Sequence, residues 1–80
     1  MNKNYTCKLK FTDKNIPDLI QIEKTESLAI ATINHWSKNF AGISSLCYFT
    51  PEGDKICFNS QGQYLFTIPY ESCKALGLKA

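Results

Sequence analysis

Residues 43–69, ISSLCYFTPEGDKICFNSQGQYLFTIP, decide the fold of this chain. They predict an antiparallel meander with strands at residues 43–50, 54–59 and 63–69. The two connecting loops, PEG and SQG, each end in glycine. Glycine readily takes the left-handed backbone conformation that closes a three-residue hairpin loop. The stretch therefore predicts two consecutive β-hairpins.

The two loops also predict the strand register. The first hairpin places Tyr48 opposite Ile56. The second places Phe58 opposite Tyr64, and Ile56 then lies opposite Phe66. Since side chains alternate between the two faces of a strand, this register predicts one continuous apolar face. Its members are Leu46, Tyr48, Ile56, Phe58, Tyr64, Phe66 and Ile68.

Two further strands are predicted before the meander. Residues 5–11 alternate between apolar and polar side chains, which is typical of a half-buried strand. Residues 18–24 are ambiguous. Their alternation suits a second strand that pairs back on the first, whereas Pro17 could open a short helix. The strand is the favoured alternative.

One amphipathic helix is predicted over residues 27–41. Its apolar stripe recurs at helical spacing and consists of Ala29, Ile33, Trp36 and Phe40. Thr25 or Ser27 can act as the N-cap, and Gly42 stands where a left-handed C-cap belongs. Trp36 should lie over the apolar face of the meander.

The predicted order of elements is ββαβββ, in a single domain covering residues 1–80. The fold class is α+β: an antiparallel sheet of four to five strands with one amphipathic helix packed on one face. The chain could end in a short helix over residues 70–76, closed by Gly77.

Composition indicates an ordinary globular protein. Of the 80 residues, 44% are hydrophobic and 20% are charged. No apolar run approaches the roughly 20 residues needed to cross a membrane. The first residues carry no apolar segment, so no secretory signal is predicted and a cytoplasmic location is expected. The nine basic residues are all lysine. A sequence-specific DNA reader without arginine would be unusual.

No catalytic or metal-binding constellation is predicted. The four cysteines lack the spacing of a zinc site, which favours free thiols. The register places Cys47 opposite Cys57, on the face away from the helix. His35 lies on the predicted helix, where a surface histidine is the simplest interpretation. We therefore expect neither enzymatic activity nor a cofactor.

The outer face of the meander is a candidate docking surface. The predicted register aligns Cys47, Cys57 and Leu65 across three strands, with Phe49 diagonal to them and Lys55 at the rim. An exposed apolar patch of a few hundred Å² commonly marks an interface. This surface would bind another protein or form a homodimer contact. Alternatively, the N-terminal segment or the C-terminal helix could fold over it.

A second candidate surface is the outward row of the first strand, which includes Lys8 and Lys10. Lysines on an exposed strand commonly prevent aggregation. The functional alternative is contact with phosphates or with an acidic partner.

The element order resembles that of small phage-encoded inhibitors of host defence, among them some anti-CRISPR proteins. The residues that carry the resemblance are 20–23 (IQIE), 27–29 (SLA) and Gly42 before three strands. It implies a stoichiometric inhibitor that binds and occludes a host protein or nucleoprotein complex, such as a CRISPR–Cas effector. The alternative is a weak nucleic-acid-binding or transcription-regulatory module that uses surface lysines. No membrane partner is expected.

Overall fold

A five-stranded antiparallel sheet forms the centre of the computed structural model, which describes residues 3–79. Met1, Asn2 and Ala80 lie outside the described residues. The predicted domain (residues 1–80) and the predicted N-terminal segment both include residues from this group, and those parts are outside the description too. The strands are β1 (Tyr5–Phe11), β2 (Leu19–Glu23), β3 (Ile43–Phe49), β4 (Lys55–Phe58) and β5 (Tyr64–Ile68), and the helices are α1 (Glu26–Asn39) and α2 (Tyr70–Leu76). The predicted α+β class is confirmed.

The strand order is β2-β1-β3-β4-β5, with antiparallel pairing throughout. β1 lies between β2 and β3, so the chain crosses over β1 through α1. The strand alternative for residues 18–24 is confirmed, because β2 pairs with β1. β2 and β5 form the two edges of the sheet.

α1 begins one residue before its predicted start and ends two residues before its predicted end. The Thr25 hydroxyl accepts a hydrogen bond from the Leu28 backbone N–H at 3.2 Å, which makes Thr25 the N-cap. The helix stops at Asn39, and Phe40 forms an extended C-cap. Gly42 does have a left-handed φ of 69°, but it turns the chain into β3 instead of capping the helix.

The main core lies between α1 and one face of the sheet. Its fully buried members are Cys7, Leu9, Ala29, Ile33 and Leu46, and Trp36 is 6% exposed. The apolar side of β1 supplies Cys7, Leu9 and Phe11, as its alternation predicted. Burying such side chains contributes roughly 1.5–3 kcal/mol each. This core is therefore the largest source of stability.

The first hairpin follows the predicted register and the second departs from it. Tyr48 pairs with Ile56, as expected. In the second hairpin Phe58 pairs with Tyr64, but a bulge then shifts the ladder. One extra residue on one strand moves every later side chain to the opposite face. Phe66 and Ile68 therefore lie on the face away from α1, and their predicted place in the core face was wrong.

α2 follows the last strand as the sequence suggested. The Tyr70 backbone N–H donates to Asp54 Oδ1 at 2.8 Å, which ties the start of α2 to the β3–β4 turn. Gly77 closes the helix with a left-handed φ of 72°. Leu78 then donates its backbone N–H to the Cys73 carbonyl at 2.8 Å. The Asp54 contact, together with the 3.3 Å contact from Cys73 Sγ to the Ile68 carbonyl, ties α2 to the sheet.

Candidate interaction surface on the outer face

The outer face is the sheet face opposite α1, and α2 with its tail covers part of it. Phe49 is 5% exposed and Cys47 is 3% exposed. Cys73 of α2 is buried, and Leu78 borders Phe49 in a shared groove. The predicted exposed patch around Phe49 and Cys57 was therefore wrong. The C-terminal helix covers it, which is the alternative that the sequence left open.

Leu65 does not join the predicted row. The bulge in β5 places Phe66, instead of Leu65, opposite Cys57. The row across the three strands is therefore Cys47, Cys57 and Phe66. Leu65 is 51% exposed on the edge strand, outside that row.

Four lysines line a shallow groove on the outer face. We call it the lysine groove, and it comprises Lys8, Lys10, Lys55 and Lys79 with Phe49. Asp18 is the one acidic side chain among its lining residues. Four of the six predicted site residues, Lys8, Lys10, Lys55 and Phe49, thus come together here. The groove carries a local excess of positive charge, which favours an anionic partner.

Contacts to the Phe49 ring help to hold the lysine groove. The ammonium nitrogens of Lys8 and Lys55 lie 5.8 and 5.9 Å from the ring centroid. Lys8 Nζ also donates to the Lys79 carbonyl at 3.4 Å. Each cation–π contact at an exposed site is worth about 0.5–1 kcal/mol. Phe49 therefore organises two of the lysines instead of docking a partner itself.

Two isoleucines of β2 lie beside these lysines. The register pairs Ile20 with Lys8 and Ile22 with Thr6, so both isoleucines share the outer face. Ile20 is 60% exposed and Ile22 is 53% exposed. We call the group of Lys8, Lys10, Ile20 and Ile22 the outer patch. The tail over Phe49 leaves these two isoleucines uncovered.

The sequence alternation did not reveal which way β2 faces. It placed Ile20 and Ile22 on one side, but an edge strand can present either side to a helix. In the structure Glu23 is on the α1 side, where it accepts a hydrogen bond from the Thr32 hydroxyl. The signal that could have shown this is the polar Thr32 on α1, which matches a carboxylate better than an isoleucine.

The thiols of the sheet are poor nucleophiles. Burial raises the pKa of Cys7 to about 12, with a further contribution from the Glu23 charge. Burial likewise raises the pKa of Cys47 and of Cys57, although Lys55 partly opposes this. These thiols are protonated near neutral pH, and the reactive form of cysteine is the thiolate. Cys47 faces Cys57 as predicted, and both are free.

The remaining chemical features are sparse. His35 is exposed on α1, with its Nδ1 atom 3.2 Å from Asn39 Nδ2. Within residues 3–79, no three His, Cys, Asp or Glu side chains are grouped so that they could hold a metal ion. Neither helix of this range is long and apolar enough to cross a membrane.

Comparison with known proteins identifies no relative. No family model, curated protein or solved structure matches the chain. The function is therefore inferred from the chemistry of the outer face.

Proposed function

We propose that this chain is a small, non-enzymatic binding protein of the phage inhibitor type that works in the host cytoplasm. It binds and occludes a host protein or nucleoprotein complex, such as a CRISPR–Cas effector. The outer patch carries the proposal, because it sets two isoleucines, each more than half exposed, beside two lysines on one sheet face.

The isoleucines would supply most of the affinity. Fully burying an exposed isoleucine is worth roughly 1.5–3 kcal/mol, and because Ile20 and Ile22 are 60% and 53% exposed, a partner would gain about half of that from each. An exposed ion pair is worth about 0.2–1 kcal/mol. Two such isoleucines in a partner's pocket therefore outweigh the contacts of both lysines. An apolar centre with a charged rim is the usual anatomy of a protein interface.

The lysines would select the partner and speed its approach. Lys8 and Lys10 project from the same face of β1 into the positive lysine groove. Complementary charge raises association rates and discriminates against wrong partners more than it adds affinity. The matching surface is therefore acidic protein surface around an apolar pocket. Covering that surface would block whatever the partner normally binds there.

The lysine groove also supports the alternative function, weak binding of nucleic acid. Four lysines against one acidic side chain could follow a phosphate backbone. Such binding would lose affinity steeply with salt, by a slope of about 0.7–0.9 per neutralised phosphate on a log–log plot. It would not depend on the isoleucines. The two functions thus differ in their salt dependence and in the residues that they require.

An effector inhibition assay tests the proposal. Purified protein is added to CRISPR–Cas effector complexes, and their binding to target DNA is measured. We expect one equivalent of the protein to abolish target binding by a susceptible effector. The double variant Ile20→Glu, Ile22→Glu should lose this inhibition at least tenfold. Leu28→Glu on α1, where Leu28 is 50% exposed, is the matched control and should retain it.

Two outcomes would contradict this function. If the double variant inhibits as well as the native protein, the outer patch is not the binding surface. If the protein binds bare DNA or RNA with steep salt dependence, and Lys8→Glu alone weakens that binding, the nucleic-acid alternative replaces the inhibitor.

A further inference from the structure

The edge strand β5 is unusually exposed and carries no charge. Its sequence is YLFTI, and its first four residues are all exposed. Tyr64 is 59% exposed, Leu65 51% and Phe66 53%. An edge strand also presents unpaired backbone N–H and C=O groups along its free side. β5 therefore combines open hydrogen-bonding groups with large apolar side chains.

The opposite edge, β2, is protected in a way that β5 is not. Glu23 lies within β2, and Asp18 and Lys24 flank it. Charged side chains on an edge strand oppose pairing with another strand. In β5 the protection is limited to the bulge and to Pro69 just after the strand. The two edges of one sheet thus differ in their readiness to accept another strand.

We propose that β5 pairs antiparallel with β5 of a second copy of this chain, which joins the two sheets into one of ten strands. Two-fold symmetry places β5 beside β5 of the second copy, so a charged side chain on this strand would lie near the same charge on the other copy. β5 has none. Pairing centred on Phe66 brings two phenylalanines together on the outer face. Aromatic–aromatic pairs are among the combinations that stabilise neighbouring strands.

Neither helix stands in the way of this pairing. α1 packs over the buried side of β1, with Cys7 and Leu9 beneath it. α2 turns back from β5 towards the β3–β4 turn. There the Tyr70 ring packs so closely on Gly53 that a Cβ atom added to this glycine would lie 2.4 Å from the ring. Its tail reaches Lys8 on β1. Cys73 Sγ of α2 does donate to the Ile68 carbonyl at 3.3 Å, so α2 touches the end of β5, but Tyr64, Leu65 and Phe66 remain more than half exposed.

Sedimentation of the native chain at increasing concentration tests the pairing. We expect reversible dimerisation with a dissociation constant of about 10–1,000 μM, since a single pair of strands is a small interface. Phe66→Lys should weaken the dimer at least tenfold by placing like charges together. Leu28→Lys, on α1 and similarly exposed at 50%, is the control and should dimerise normally.

A charge swap distinguishes strand pairing from a general loss of apolar surface. Phe66→Lys and Phe66→Glu should each be monomeric, whereas their mixture should form heterodimers because opposite charges then meet across the axis. Circular dichroism checks that both variants fold. A native chain that remains monomeric at about 1 mM would overturn the proposal. So would a Phe66→Lys variant that dimerises normally, or a mixture that stays monomeric. The measurement needs no host partner, so it can fail independently of the inhibitor function.

Discussion

The two faces of the sheet are covered to different extents. On one face α1 has 14 residues, which at 1.5 Å per residue is about 21 Å. On the other α2 has seven residues, or about 10 Å. α1 runs along the strands, from Glu26 beside Tyr48 to the Phe40 cap beside Phe11, and packs on β1, β2 and β3. The shorter α2 covers Phe49 and Cys47 but leaves the isoleucines of β2 exposed.

The largest expected loss of stability is from the α1 side. Trp36 is 6% exposed on the stripe that faces the sheet. Trp36→Ala should lower the free energy of unfolding by about 3–5 kcal/mol, because it removes a large buried side chain and leaves a cavity. Urea denaturation followed by circular dichroism measures it. Leu28→Ala, half exposed on the same helix, should change stability by less than about 1 kcal/mol. Equal losses for the two variants would contradict α1 as the main cover.

Phe49→Ala makes the matching test on the outer face. We expect a loss of about 2–3 kcal/mol, near the lower end for a buried phenylalanine, since the short α2 and its tail can settle into the space. Part of the loss is the pair of cation–π contacts with Lys8 and Lys55. Urea denaturation measures the change, and Phe40→Ala, at 40% exposed, is the control. A neutral Phe49→Ala would mean that α2 does not close over the ring.

Two glycine substitutions separate the contribution of α2 docking to stability from the backbone cost of placing alanine at a positive φ. Both Gly53 and Gly77 have positive φ, 95° and 72°, so alanine is strained at either position. A Cβ atom at Gly53 would lie 2.4 Å from the Tyr70 ring, whereas one at Gly77 meets nothing within 4 Å. Gly53→Ala should cost about 2 kcal/mol and Gly77→Ala about 1 kcal/mol. Urea midpoints measure both, and equal losses would show that Tyr70 does not pack at the turn.

The local patterns of the sequence predicted most of the fold. The alternation of β1, the α1 stripe from Ala29 to Trp36 and the first hairpin each depend on neighbouring residues, and each was confirmed. Phe40, the last predicted member of the stripe, lies beyond the helix and is 40% exposed. The bulge in β5 was not predictable, because a three-residue loop sets the register only at its own end of the hairpin. The orientation of β2 was also hidden, since Ile20 and Ile22 suit either face of an edge strand.

The candidate site was only partly predictable for the same reason. Phe49, Cys57 and Lys55 were correctly placed on the outer face, but their exposure depends on a helix from the far end of the chain. Whether a seven-residue helix covers a patch is decided by contacts such as Asp54 to Tyr70, which no periodicity encodes. The residues after α2 also explain why Lys8 lines a groove, because Lys8 Nζ donates to the Lys79 carbonyl.

The last test of the two faces is the loss of folding stability at alkaline pH. This loss is placed last because it is absent near neutral pH. Burial raises the pKa of Cys7 to about 12, and burial with a hydrogen bond to Glu26 raises the pKa of Tyr48. In the unfolded chain these groups release their protons near their ordinary pKa values, about 8.5 and 10. The folded state then binds more protons, so stability falls as the pH rises from about 8.5 towards 12.

Urea midpoints at about pH 7, 9 and 10.5 measure this dependence. The native protein should show a small fall between the first two values, because the thiols of the unfolded chain already ionise at about pH 9, and a larger fall at the third. Tyr48→Phe should reduce the fall without removing it, because phenylalanine cannot ionise in the unfolded chain whereas the thiols still do. The same variant loses the 2.8 Å bond from the Tyr48 hydroxyl to Glu26, which joins the first turn of α1 to β3, so its midpoint at neutral pH should be lower. If Tyr48→Phe kept the full alkaline fall, the dependence would have to come from the thiols, including Cys47 and Cys57 on the outer face.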